Sequence, residues 1–349
     1  MLRDGADDLL AIISEAATQP ALKHWELEAA AHDGSLGVSV SHPAPGSSLL
    51  EALHAAAYGA ESPLGHALPV VPGVLPDITT STLRAFLGDR VTGGGGVLSA
   101  VNVDHGALVA AAQRLLVAPL AEGAPSAATA AAPAVHVGGE VIVRGAQGPA
   151  VVGLALAAPA AGGASSAAAV RVLVALLGGT GPHGGAGGTL RLGPHRLSRL
   201  ARSVHSEAHS FIAAADSLAV GYSDSGLLAL VGRAADHEAG RLASVLCGFV
   251  RDAATMPASA PELARAKIGA KLAVLASVES RAATAAEAAS RALFGGPPPT
   301  ALLSAIDAVT AAELQAVAVA ALASPPAFAA FGPSLASLPR YDALAALLK

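Results

Sequence analysis

The residues best suited to chemistry in this chain are its histidines and acids, and their spacing argues against a metal centre. The densest cluster is His205-Ser206-Glu207-Ala208-His209, within a total of twelve histidines. Zinc peptidase helices carry His-Glu-x-x-His or His-x-x-Glu-His, because a helix must bring two imidazoles one turn apart with an acid beside them. Here the acid stands third of five, and Val204, Phe211 and Ile212 around it favour a partly exposed strand over 206–214. Gly179-Thr180-Gly181-Pro182-His183-Gly184 fits Gly-x-Gly-x-x-Gly behind the apolar run Val170 to Val174. A dinucleotide site needs a tight turn leading straight into a helix. Pro182 and the glycines that continue to Gly188 deny it that turn. The better reading is a flexible or peptide-contacting loop over 178–189, with Gly178, Gly179, Gly181, Gly184, Gly185, Gly187 and Gly188 as its candidate residues. Glu26, Glu28, Glu51 and Glu262 fall on expected helices without histidines at ligand spacing, so solvated helix faces account for them. Cys247 is the only cysteine and sits in an apolar helical stretch, where it reads as a buried structural thiol; one cysteine forms no internal disulfide and holds no iron–sulfur cluster. No catalytic residue, metal ligand or cofactor-binding residue is assigned.

The elements that would position these residues follow from composition and period. Hydrophobic residues make up 53% of the 349 positions but aromatics only 3%, so the cores must be built from Ala, Leu and Val. The net charge of −5 shows no basic stripe, and few rings are available for stacking, which excludes nucleic acid as a partner. Arg144 to Arg171 is free of charge between its ends, yet Pro149, Pro159 and many small residues make it a poor membrane span. Helical periods predict helices over 5–17, 21–32 and 47–58, another from about Thr80 capped by Thr79 or Thr80, and one over 105–117. A strand is expected at 97–103. Residues 119–134 read as a low-complexity linker. Beyond it strands are predicted at 139–144, 150–157, 206–214 and 226–233, helices at 164–177 and 194–203, then a helical block from Asp236 to Ala323 closed by a strand at 327–331.

An internal repeat organises these elements. Ala16-Ala17-Thr18-Gln19-Pro20, Glu26-Leu27, Glu51 with Tyr58-Gly59, Ile78-Thr79 with Leu83, and Val97 to Val101 recur as Ala253-Ala254-Thr255-Met256-Pro257, Glu262-Leu263, Glu287 with Phe294-Gly295, Val309-Thr310 with Leu314, and Phe328 to Phe331. The gap from proline to aromatic is 38 residues in one copy and 37 in the other. Two similar half-domains follow: a first over 1–118, the linker 119–134, and a second over 135–349. Only the second is preceded by strand-like sequence, so either the first has no sheet of its own or, the preferred reading, it is an N-terminally shortened form. Each complete half would be a sheet covered by helices, giving an α+β fold.

The repeat, the linker and the glycine-rich loop together resemble the pitrilysin-type family, which includes the mitochondrial processing peptidase and the core proteins of respiratory complex III. The most specific runs are Leu53-His54-Ala55-Ala56-Ala57-Tyr58 and Tyr222-Ser223-Asp224-Ser225-Gly226-Leu227, joined by Leu197-Ser198-Arg199-Leu200, Val278-Glu279-Ser280 and Ile306-Asp307-Ala308-Val309. They look most like the core protein 2 type, with the peptidase α-subunit type second. Active members carry His-x-x-Glu-His and a third zinc ligand, a Glu, whose helix would fall near Trp25-Glu26-Leu27-Glu28; the pentapeptide is not in this sequence. The resemblance therefore implies a non-catalytic partner with no cofactor, peripheral on the matrix side of the mitochondrial inner membrane. It would pair with core protein 1 or a processing-peptidase β-subunit, contact other complex III subunits, and, in the α-subunit role, bind presequences through the glycine-rich loop. In the green lineage the family suggests that both roles reside in one protein.

Overall fold

The computed structural model of the protein describes residues 5–32, 45–66, 77–92, 96–117, 120, 134–144, 148–178, 198–204 and 206–349. The first helices are α1 (Ala6–Thr18), α2 (His24–His32), α3 (Pro45–Tyr58), α4 (Thr80–Arg90) and α5 (His105–Ala112). After the strands β1 (Gly139–Arg144) and β2 (Ala150–Ala157) come α6 (Ala164–Leu177), α7 (Arg199–Val204), β3 (Ile212–Gly221) and β4 (Gly226–Ala234). The C-terminal part holds α8 (Ala239–Thr255), α9 (Ala260–Ala276), α10 (Arg281–Phe294), α11 (Pro299–Ala308), α12 (Ala311–Leu322), β5 (Ala327–Gly332) and α13 (Tyr341–Ala346). The protein is thus α+β. No single helix among the described residues is long and apolar enough to cross a membrane.

Two compact units divide the chain. The smaller comprises 1–40, 68–132 and 278–293; the larger comprises 41–67, 133–277 and 294–349. In the smaller unit Thr79 caps α4 by accepting a hydrogen bond from Thr82 N, and Asp104 caps α5 by accepting one from Ala107 N at 2.9 Å. Ser14 Oγ donates to Leu115 O and ties α1 to the turn of π-helix (Gln113–Val117) that continues α5. The expected helix over 105–117 therefore changes its winding after Ala112.

The larger unit is built on one five-stranded sheet of order β1-β5-β2-β4-β3, antiparallel except for the parallel pair β1 and β5. β2 lies at its centre and is buried on both faces. Val152, Leu154 and Leu156 face a core shared with Leu228, Leu230 and Phe328 and covered by helices including α6 and α8. Val151 and Ala155 face the opposite way, with Leu227, Ala229, Ala327 and Ala329, and here α3 lies on the sheet through Leu49, Ala52, Leu53 and Ala56. The small side chains of this second face let the helix come close: a Cβ on Gly153 would stand 2.9 Å from Leu53 Cδ1.

The strand expected at 97–103 does not form. Residues 96–104 are irregular, Asn102 has φ +65°, and Val97, Leu98 and Val101 are exposed. A strand needs a neighbour for its backbone N–H and C=O groups, and the described residues before 118 contain no other strand. The strand predicted over 206–214 begins late, at Ile212, because Glu207–His209 close a 3-10 turn.

Candidate functional site

The glycine-rich stretch over 178–189 enters the described structure only at its first residue. Gly179, Gly181, Gly184, Gly185, Gly187 and Gly188 lie outside the described residues, whereas Gly178 ends α6, its N–H bonded to Val174 O at 2.9 Å. A Cβ on Gly178 would meet Leu200 Cβ at 3.1 Å, so the first residue of the loop and the helix after it are clasped together. The far anchor is firmly held. Ser198 caps α7 through Ala201 N, and buried Leu200 plugs the clasp. Arg199 donates to Asp252 O and Met256 O at the C-terminal end of α8, where its charge complements the exposed carbonyls.

Glu262, expected on a solvated face, is instead the knot of this anchor. It pairs with Arg202 and, at 3.6 Å, with Arg199, and it accepts hydrogen bonds from Ser259 N and Oγ at the start of α9. Burial acts to raise its pKa, but the bonds from Ser259 and Arg202 and the charge of Arg199 outweigh it and hold the carboxyl at about 2. Glu26 and Glu28 are exposed as expected. Glu51 is partly buried, and burial pushes its carboxyl up, with neighbouring His54 acting the other way.

His205 lies outside the described residues, and His209 is drawn into a local turn rather than a ligand set. Its Nδ1 is 2.5 Å from Ser203 Oγ, and Ser206 Oγ donates to Ser203 O. Phe211 meets this ring edge-on and carries the Arg241 guanidinium 4.2 Å above its own face, which accounts for the apolar flank misread as strand. Cys247 is fully buried, and burial pushes its thiol up to about 12. Among the described residues no three His, Cys, Asp or Glu side chains converge as a metal would require.

A second cluster escaped the spacing arguments altogether. Two of the motif runs, 168 residues apart, meet where α3 crosses the end of the sheet: Tyr222 Oη is 2.6 Å from His54 Nε2. His54 Nδ1 lies 2.7 Å from Leu50 O, a group that only accepts, so Nδ1 donates and Nε2 accepts from Tyr222. Tyr58 stands edge-on to Tyr222 and reaches Ser225 Oγ at 3.4 Å. On its other side Tyr58 meets His136 edge-on, and His136 Nε2 donates to Pro325 O at 2.8 Å. Val137 N donates to Ala57 O at 2.7 Å, and Asp224 Oδ2 accepts from Ala134 N. Burial raises the Tyr58 and Tyr222 hydroxyls and lowers His136, whose Nδ1 is buried without a partner. The arrangement is a latch that joins α3, the β3–β4 hairpin and the lead-in to β1. It presents no activated nucleophile.

No protein-family model matches the chain. It is 27% identical over 347 residues to the α-subunit of the mitochondrial processing peptidase of Solanum tuberosum, a match covering 98% of this chain and 66% of that protein. Subunit 2 of the cytochrome b-c1 complex of Rattus norvegicus is 28% identical over 318 residues, 90% of this chain and 66% of the relative. The Mus musculus subunit 2 is 27% identical over 98% of this chain and 72% of its own length. The chain thus spans just under two thirds of the potato and rat proteins. Its fold matches a chain of complex III2 from Candida albicans, solved with Inz-5 bound, with a TM-score of 0.80 over 100% of this chain and 81% of that one, at 15% identity. This protein is a homologue of the processing-peptidase α-subunits and of cytochrome b-c1 subunit 2 along nearly its whole length.

Proposed function

We propose that the protein is a non-catalytic structural subunit of mitochondrial respiratory complex III, of the core protein 2 type, peripheral on the matrix side of the inner membrane. The observation that carries this reading is the continuous homology to cytochrome b-c1 subunit 2, over 90% of this chain in the rat protein and 98% in the mouse. A sheet buried on both faces and latched to α3 suits a scaffold that holds its shape under load from neighbours. Core protein 1 or a processing-peptidase β-subunit is the partner this role requires, with other complex III subunits around the pair. Blue-native electrophoresis of mitochondria followed by intact-mass measurement tests it. The reading requires the protein to comigrate with the complex III cytochromes, and recovery only outside that complex refutes it.

A second reading, the presequence-binding α-subunit of the processing peptidase, is favoured by the 27% identity to the potato α-subunit over 98% of this chain. The glycine-rich loop at 178–189 would contact the peptide from its clasped base. Deleting 179–188 must then weaken presequence binding, and unchanged affinity removes the reading.

The halves 1–118 and 135–349, joined by 119–134, are read as products of a duplication. Matching caps support this. Glu26 accepts from Lys23 N as Glu262 accepts from Ser259 N, and Thr79 caps α4 as Thr310 caps α12. After α3 and α10 stand Gly59 and Gly295 at φ +71° and +75°, the left-handed conformation that closes a helix and favours glycine.

A further inference from the structure

The stretch that leads into β1, residues 134–139, is held to the larger unit with little apolar contact. Val135 and Val137 are 67% and 52% exposed. What fastens it is polar. Ala134 N donates to Asp224 Oδ2 at 2.8 Å, Val137 N and Gly138 N both donate to Ala57 O, and His136 Nε2 donates to Pro325 O. Gly138 and Gly139 close the stretch with φ +70° and +151°. A Cβ on Gly138 would stand 2.6 Å from Pro325 Cβ, so only glycine lets the chain pass this close. The two glycines thus form a hinge between a polar clasp and a paired strand.

His136 is the one titratable side chain within the clasp. Pro325 O only accepts, so Nε2 carries the ring proton, and Nδ1 is left bare, shut off from solvent and without a partner. The ring stands edge-on to Tyr58 of α3. The other titratable groups around the clasp are His54 of α3, Tyr222 and Asp224 of the β3–β4 hairpin, Glu140 of β1, and Tyr341 of α13, whose Oη donates to Pro326 O. Asp224 is engaged by Ala134 N, and among the described residues His136 forms no ion pair. A proton arriving on Nδ1 would therefore place an N–H and a charge where nothing accepts either. We infer that 134–139 is an acid-released clasp: when Nδ1 of His136 is protonated the ring leaves Pro325 O, the segment swings out about Gly138 and Gly139, and the last turn of α3 is uncovered together with the Tyr58 ring. β1 itself is paired with β5 along its whole length and stays in place. Burial outweighs the Pro325 bond and lowers the His136 pKa from 6.5, so support for the closed form is full above 6.5 and is lost as pH falls below it.

Hydrogen exchange of the full chain at pH 8 and pH 5, with each rate divided by the intrinsic rate at that pH, tests the clasp. Protection over 134–139 should fall by about tenfold or more, against a ceiling of about thirtyfold for a group of ordinary pKa 6.5 protonated only in the open state. Protection of β2 and β4 should not change. His136→Gln keeps an N–H for Pro325 O and does not titrate, so at pH 5 it should hold the segment better than the wild-type side chain does. A wild-type chain without the fall overturns the clasp, as does one in which β2 and β4 lose protection in step. A His136→Gln chain that keeps the fall overturns it too, by giving the titration to another group. Where that variant leaves 134–139 unprotected at both pH values, the titration of the wild-type His136 ring by NMR decides, and a midpoint at or above 6.5 overturns the proposal.

Discussion

Tyr222→Phe is the sharpest probe of the latch, because it deletes one hydroxyl and leaves the ring packing in place. His54 is buried, and Leu50 O fixes its Nδ1 as a donor, so the loss leaves Nε2 as an acceptor with nothing to accept. A net hydrogen bond of about 1 kcal/mol plus part of the desolvation of the orphaned nitrogen gives about 1.5 kcal/mol. Tyr58→Phe removes a contact of 3.4 Å, beyond the ordinary O–H···O range, and should cost about 0.5 kcal/mol or less. The amides of Val137 and Gly138, both bonded to Ala57 O, report whether α3 stays seated. Hydrogen exchange of the peptide spanning them should quicken roughly tenfold in Tyr222→Phe, the equivalent of about 1.4 kcal/mol in the local opening equilibrium, and little in Tyr58→Phe. Pairing Tyr222→Phe with His54→Phe closes a double-mutant cycle, and the two changes should be clearly non-additive. Exchange unchanged by Tyr222→Phe, or equally fast in both tyrosine variants, would refute the latch.

Other outcomes follow from the same structure. Cys247, with its thiol pushed up to about 12 by burial, should resist alkylation in the native chain and react on denaturation, as mass spectrometry can record. Gly178→Val must press on Leu200 and should lower stability by about 1–3 kcal/mol, read as a loss of protease resistance at 198–204. The Glu262 carboxyl titrates at about 2 in the folded chain against 4.5 ordinarily, so its support for the loop anchor is complete above pH 4.5 and lost as pH falls toward 2. Glu262→Gln should flatten that acid limb of the melting curve. Asp216, buried on β3, has the opposite sign. Its folded value of about 7 exceeds 3.8, so the stability it contributes is full below 3.8 and lost as pH rises through 7, at most about 4 kcal/mol. Asp216→Asn should remove the decline between about pH 4 and 7, which thermal melts from pH 4 to 8 would show.

The helices before β5 and four of the five strands were legible because their signals are local, the C-terminal α13 being missed. Thr79 announces the helix it caps, and the continuous apolar runs of β2 and β4 need no partner to be recognised. The failures share a cause. Val97 to Val101 has a strand's composition, but pairing is decided by what lies alongside, and sequence does not display it. The run around His209 looked like strand because Phe211 is apolar, whereas its ring serves the Arg241 guanidinium and the turn is set by the Ser203 and Ser206 hydroxyls. Glu262 was read from its helix alone, and its role depends on two arginines sixty or so residues earlier. The latch was half visible: both runs stood out as motifs, yet nothing in their spacing placed Tyr222 against His54. Asp216 left a fainter trace, a lone acid in an otherwise apolar or small alternating run.

That trace bears on how the larger unit is put together. A sheet with both faces buried could have been closed on its second side by any apolar helix, and Leu49, Leu53 and Ala56 meet that need without polar help. Yet α3 also carries His54 and Tyr58, and the hairpin offers Tyr222 and Ser225, so polar groups fix the helix in one register on a surface of small, nearly interchangeable alanines. Alanine faces pack closely but discriminate poorly between neighbouring registers, since sliding a helix past them changes little in contact area. A directional hydrogen bond between two buried rings removes that degeneracy. In a chain whose cores hold so few aromatic residues, placing two tyrosines and a histidine at this one crossing is the feature that turns a tolerant interface into a specified one.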